Sequence, residues 1–170
     1  MGYHYGEFLG YGRNSRQMSR TAYDTVMVSG GFDPIHIGHV RMIQEAAREF
    51  GDVIVAVNSD DWLLRKKGYV FMPWEERAEI VRAIDGVTKV VAFDDADNTA
   101  CDAIRKYKPT FFANGGDRTT ENTPEQFACE ELGVRMVWSI GGGKIQSSSD
   151  LVNGSAEHLR IEAADWPHGV

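Results

Sequence analysis

The sequence predicts an α/β protein: one domain built on an open five-stranded parallel sheet with helices on both faces. Three observations lead there. Apolar runs of strand length alternate with stretches of helical period from Thr25 onward. The run VIVAV at 53–57 is apolar throughout, as a strand covered on both faces must be. No internal repeat and no Gly/Ser/Pro linker divides the chain, and its 170 residues suit a single core.

The elements follow in order. Thr25–Ser29 is the first strand. A helix from about Gly38 to Phe50 places Val40, Ile43, Ala47 and Phe50 on one face, and Gly51 stops it. Asp52–Asn58 is the second strand, followed by a polar connector, Ser59–Met72, that holds Arg65-Lys66-Lys67. Pro73 opens the next helix, with Glu75 and Glu76 favourable near its N-terminus and Ile80, Val81 and Ile84 as its apolar stripe. The third strand is about Thr88–Phe93. Asn98 caps a helix to about Lys106, with Ala100, Ile104 and Tyr107 facing inward. The fourth strand is Thr110–Ala113. Thr123-Pro124-Glu125-Gln126 reads as a capping box whose helix ends at Gly133, and Val134–Ser139 is the fifth strand. After Gly141-Gly142-Gly143-Lys144, a short helix starts among Ser147-Ser148-Ser149 and ends by Asn153-Gly154. The domain is thus 25–154. Residues 1–24, rich in Tyr, Gly and Arg, form an extension or an arm that packs on a second copy, and 155–170 are a C-terminal tail.

Composition narrows the function. A net charge of −7 argues against a general nucleic-acid or membrane-surface binder. No run approaches the roughly 18 apolar residues of a membrane span, and no signal-peptide pattern is present. Cys101 and Cys129 have no metal-ligand spacing and read as buried free thiols. A cytoplasmic protein is expected.

In open parallel sheets the ligand sits beyond the carboxyl ends of the strands. That rule brings together the loops at Gly30–His39, Asn58–Lys67, Asn114–Arg118 and Ile140–Ser149. The first is the richest chemically. Gly30 and Gly31 let an anion approach the backbone, Phe32 and Asp33 follow as further nucleotide contacts, and the helix start offers N–H groups. His36 and His39 are three apart at that start and can share one side. Two imidazoles facing a phosphate can donate to charge that develops during phosphoryl transfer. A zinc reading of the pair lacks a third ligand nearby, and neither GxxxxGK[ST] nor GxGxxG is present.

The segment GGFDPIHIGH resembles the HxGH signature of the nucleotidyltransferase superfamily, the cytidylyltransferase-like proteins. Glycerol-3-phosphate cytidylyltransferase and the heptose-phosphate adenylyltransferase group are members. Class I aminoacyl-tRNA synthetases share the histidines but are far longer and need a KMSKS-type loop, which is missing here. The resemblance covers about 25–153 and implies a Rossmann-like domain. NSDDWLLRKKGYVFMPWEER is similar to the family segment with a substrate-facing lysine and a helix arginine. It implies Lys67, with Lys66 as runner-up, and Arg77 at the acceptor. FANGGDR resembles the segment that meets the base and ribose, which implies Asn114, Gly115, Gly116, Asp117 and Arg118. GKIQSSS resembles the (R/K)xGxSST motif and implies Lys144, Ser147, Ser148 and Ser149 at the β- and γ-phosphates. It departs from that motif: Ile145 stands where glycine is usual, and the preceding arginine is missing.

The implied activity is transfer of a nucleoside monophosphate from an NTP to a phosphorylated polyol, amino-alcohol or sugar, releasing pyrophosphate, with Mg²⁺ arriving on the NTP. CTP is the first expectation, from the small cytidylyltransferases. ATP with a sugar phosphate is the alternative, from the double-glycine GGD form. A non-catalytic nucleotide-binding module is the second alternative, motivated by Ile145. A homodimer is expected.

Overall fold

A computed structural model describes residues 24–115, 123–143 and 146–154. The expected tail and, apart from Asp24, the expected arm lie outside these, as do Gly116, Asp117, Arg118, Lys144 and Ile145. The strands are β1 (Thr25–Gly30), β2 (Asp52–Val57), β3 (Val87–Val91), β4 (Phe111–Gly115) and β5 (Arg135–Ile140). The helices are α1 (Ile37–Phe50), α2 (Asp60–Lys67), α3 (Trp74–Arg82), α4 (Cys101–Tyr107), α5 (Pro124–Leu132) and α6 (148–154).

All strand pairs are parallel, in the order β3-β2-β1-β4-β5. β1 runs in register with β2 from Thr25↔Asp52 to Gly30↔Val57 and pairs with β4 from Val26↔Phe111. The order reverses between β1 and β4, so the switch point lies there. Alternation along the strands fills two cores. Val26, Val28, Val53, Val55, Val57, Phe111 and Ala113 meet Met42, Ile43 and Ala46 of α1 and Val81 of α3. Met27, Ile54, Ala56 and Phe112 meet Ala103 and Ile104 of α4 and Ala128 and Cys129 of α5. Both cysteines are buried and free.

Three local expectations are corrected. The connector Ser59–Met72 contains a full helix, α2. Ser59 caps it by accepting from Trp62 N at 3.0 Å, Asp60 and Asp61 occupy its first turn, Arg65, Lys66 and Lys67 its last, and Gly68 ends it. Its weak apolar stripe hid it, since Leu63 is its one buried residue. In α3 the buried residues are Arg77, Ala78 and Val81, while Ile80 is 40% exposed. Asn98 does not cap α4; it sits at φ 63 in the preceding turn, and Ala100 takes the cap position. The Thr123 cap is present, its side chain accepting from Gln126 N.

Candidate active site

The ends of β1, β4 and β5 open onto a cleft of about 590 Å³. Two glycines set its walls. A Cβ on Gly31 would lie 2.9 Å from Leu63 Cδ2 of α2. Gly141, at φ +88, would place one 2.8 Å from Met42 Cα of α1, and its N–H donates to Glu45 Oε2 at 3.2 Å.

The histidines sit at the centre and cap α1 reciprocally. His36 Nδ1 accepts from Gly38 N at 3.1 Å, and His39 Nδ1 accepts from His36 N at 3.2 Å. A nitrogen that accepts carries no proton, so each neutral ring holds its proton on Nε2 and keeps it for donation. The rings stack with centroids 3.9 Å apart, and Phe32 meets His39 edge-on at 5.0 Å. Burial, then the positive charges of His36 and Lys67, push the His39 pKa down to about 3. Burial and Lys67 lower His36 as well. The pair therefore acts as two neutral N–H donors around pH 7.

This depression has a stability consequence. An unfolded His39 takes a proton near pH 6.5, whereas the folded one refuses it until about pH 3. Stability should therefore fall as pH drops from about 6.5, with a slope of up to about 1.4 kcal/mol per pH unit for one proton. Urea midpoints measured between pH 7 and 4 should show the fall, and His39→Asn should flatten it.

Lys67, half-buried at the end of α2, donates to the Asp33 carbonyl at 2.6 Å. Burial lowers its pKa, the Asp33 carboxylate opposes this, and the Arg77 guanidinium adds to it. Lys66 also lines the cleft, on an exposed turn. Gly30, Gly31, Phe32, Asn114, Gly115, Ser147, Ser148 and Ser149 line it too. Ser147 caps α6, its Oγ accepting from Asp150 N at 3.1 Å. Ser148 is buried and donates to the Pro34 carbonyl at 2.8 Å, which ties α6 to the loop after β1.

Two expected ligand contacts are corrected. Asp33 is fully buried, and its carboxylate accepts from Phe71 N at 2.8 Å and Met72 N at 2.7 Å. Arg77 is also fully buried: Nε donates to the Met72 carbonyl at 2.9 Å, Nη1 to the carbonyls of Gly31 at 2.6 Å and Asn58 at 2.9 Å, and Nη2 pairs with Asp60. Both side chains are spent on the loops around the cleft and do not line it.

Four contributors escaped the sequence reading. Trp62, Asn98, Glu125 and Gln146 line the cleft, although sequence alone assigns none of them a ligand role. A buried node at Asp95, 4% exposed, also went unread. It accepts from Asn58 Nδ2 at 3.1 Å and from Ser59 N and Oγ at 2.7 Å. Its one signal was an acidic residue just beyond a strand end.

Comparison with known proteins agrees with this geometry. The cytidylyltransferase-like family matches residues 27–139. The bifunctional protein HldE of Geobacter sulfurreducens is 37% identical over 114 residues, covering 65% of this chain and 23% of its own length. That of Gluconobacter oxydans is 34% identical over 138 residues, covering 76% of this chain and 27% of its own. The chain thus spans about a quarter of the length of these curated relatives. In fold it is similar to the crystal structure of the lipopolysaccharide core biosynthesis protein from Thermoplasma volcanium. The TM-score is 0.58 at 22% identity, over 68% of this chain and 95% of that one. With its parallel sheet, its switch-point cleft and a family match over most of the described domain, the chain belongs to the cytidylyltransferase-like family of nucleotidyltransferases.

Proposed function

We propose that this protein transfers a nucleoside monophosphate from an NTP to a phosphorylated small molecule, with ATP as donor and a sugar phosphate as acceptor. The observation that carries the reading is the stacked pair of neutral Nε2–H donors beside Lys67 in the switch-point cleft. Kinship with HldE proteins, together with the double-glycine segment after β4, favours AMP transfer over the CMP transfer that the small cytidylyltransferases imply.

An oxygen of the acceptor phosphate attacks the α-phosphorus in line. One P–O bond forms, the bond to the β-phosphate bridging oxygen breaks, and pyrophosphate leaves with that electron pair. No covalent enzyme intermediate is needed, because a phosphate oxygen is already a nucleophile. The protein's task is positioning and charge stabilisation. His36 and His39 donate to the non-bridging α-phosphate oxygens. Lys67 offsets the repulsion between acceptor phosphate and triphosphate. Ser147 and Ser149 stand at the pyrophosphate end. Mg²⁺ would enter with the nucleotide, as that ion prefers phosphate oxygens and water, and would neutralise charge on the triphosphate.

A thermal-shift comparison of ATP, CTP, GTP and UTP with Mg²⁺ tests the donor. A ligand at 100 times its Kd adds about 2.7 kcal/mol, so MgATP should raise Tm most. A larger shift with MgCTP would restore CMP transfer. Pyrophosphate release in the presence of sugar phosphates tests the reaction itself, and its absence with every acceptor and nucleotide would overturn it. Lys67→Ala should raise the acceptor KM about tenfold or more and the nucleotide KM less, the loss of one charge-assisted contact. If Lys66→Ala shows that pattern instead, the role passes to Lys66.

A further inference from the structure

The loop between β3 and α4 was not among those the strand rule brought to the site, yet Asn98, Thr99 and Ala100 line the cleft, as does Glu125 of α5. We propose that Asn98 and Glu125 form a hydroxyl-recognising subsite for the body of the acceptor, selecting a polyhydroxylated phosphate over an amino-alcohol phosphate. The proposal rests on the transferase reading above and adds the chemistry that chooses the acceptor.

Each side chain is already oriented. Asn98 Oδ1 accepts from Arg65 Nε at 3.3 Å, which leaves its NH₂ group as the donor to offer. Glu125 Oε1 accepts from Ala100 N at 3.0 Å; a carboxylate has further lone pairs, so it still presents an anionic acceptor. The Thr99 hydroxyl is spent, donating to Asp97 Oδ1 at 2.8 Å and accepting from Cys101 N at 3.2 Å, so it shapes the wall without reading the ligand. The wall therefore offers one donor and one anionic acceptor. A hydroxyl group both donates and accepts and satisfies the two together. A phosphate would be repelled by Glu125. An ammonium would suit Glu125, but the Asn98 NH₂ offers it no acceptor and the Arg65 guanidinium that orients Asn98 repels it.

The subsite is also tied to the anion end of the cleft. Arg65, in the last turn of α2, donates to the Asp95 carbonyl at 2.7 Å, and the Asp95 carboxylate holds Ser59 at the first turn. The helix that bears Lys66 and Lys67 is thereby fastened at both ends to the loop that bears Asn98. Cations for a phosphate and a donor–acceptor wall for hydroxyls are held by one framework, which matches a molecule with a phosphate at one end and hydroxyls along its body.

The test uses the full chain and two variants. Glu125→Gln keeps an oxygen for the Ala100 N–H. Asn98→Gly suits the left-handed backbone at φ 63. Pyrophosphate release with MgATP is measured against hexose 1-phosphates, heptose 1-phosphates and phosphoethanolamine. The expected result is a kcat/KM at least about tenfold higher for a sugar phosphate than for phosphoethanolamine. Each variant should raise the sugar phosphate KM about tenfold while the ATP KM stays within about twofold, the scale of losing one hydrogen bond to the acceptor. Preference for phosphoethanolamine, a rise confined to the ATP KM (the wall then reads the ribose), or variants within about twofold for both substrates would each overturn the proposal. If the wild type releases no pyrophosphate, the transferase reading fails separately, and calorimetric titration of the same sugar phosphates into the protein with MgATP decides the subsite. Binding weakened about tenfold by either variant supports it; no binding, or binding the variants leave unchanged, overturns it.

Discussion

His39→Ala is expected to lower kcat by at least about 10²-fold while the protein stays folded. That is the scale of losing one preorganised donor to a developing oxyanion. The argument runs through the ring's two nitrogens. Nδ1 is engaged by the His36 N–H, so any donation comes from Nε2, and the ring is 5.0 Å from the buried Phe32, which helps fix its plane. Alanine removes both functions, and the lost cap costs about 1 kcal/mol. His39→Asn separates them: its side-chain oxygen can return the cap, but it lacks the reach of Nε2. The Asn variant should therefore regain stability and remain as slow as the Ala variant. Near-wild-type turnover in either would remove His39 from the reaction. Because His39 stays neutral down to about pH 3 in the free protein, the kcat/KM–pH profile should show no step near 6.5 from this ring. An imidazolium acting as the donor would produce one there.

The sequence made the strand–helix alternation and the His36–His39 spacing legible because both are short-range patterns. A strand buried on both faces is uniformly apolar, and two histidines three apart share one side of a helix start wherever that helix sits. What stayed hidden depends on long-range pairing. Asp33 and Arg77 stand in motif-like surroundings, but their side chains turn inward because the loops after β1, after β2 and before α3 leave backbone groups that need partners. Helix α2 was missed because eight residues with one buried leucine carry little periodicity; its signals were the Ser59 cap, the acidic first turn and the basic last turn. Asn98 and Glu125 reach the cleft because α4 and α5 pack side by side on the second face of the sheet. No local pattern encodes that meeting.

Arg77→Met is expected to cost about 3–5 kcal/mol of stability, because it leaves the carbonyls served by a buried guanidinium without their donor, at roughly 1–3 kcal/mol each, and removes the partner of Asp60. The guanidinium is 0% exposed and joins four separate parts of the chain: the carbonyl of Gly31 after β1, that of Asn58 after β2, that of Met72 before α3, and the carboxylate of Asp60 on α2. Methionine fills much of the volume but leaves three carbonyls without that donor around a buried side chain, while the Asp60 carboxylate, 38% exposed, turns to water. Against a typical total of 5–15 kcal/mol this is a large fraction. It should appear as a lower urea midpoint with little change in slope. Arg77→Lys should recover only part of the loss, because a single ammonium cannot reproduce a planar fork aimed at three directions. The same pair of variants separates a framework role from ligand contact. If Arg77 touched the acceptor, the lysine variant would be nearly as stable as wild type and would raise the acceptor KM alone. The geometry instead predicts that stability falls first, and that substrate constants shift together because Gly31 and Asn58, both held by this side chain, line the cleft.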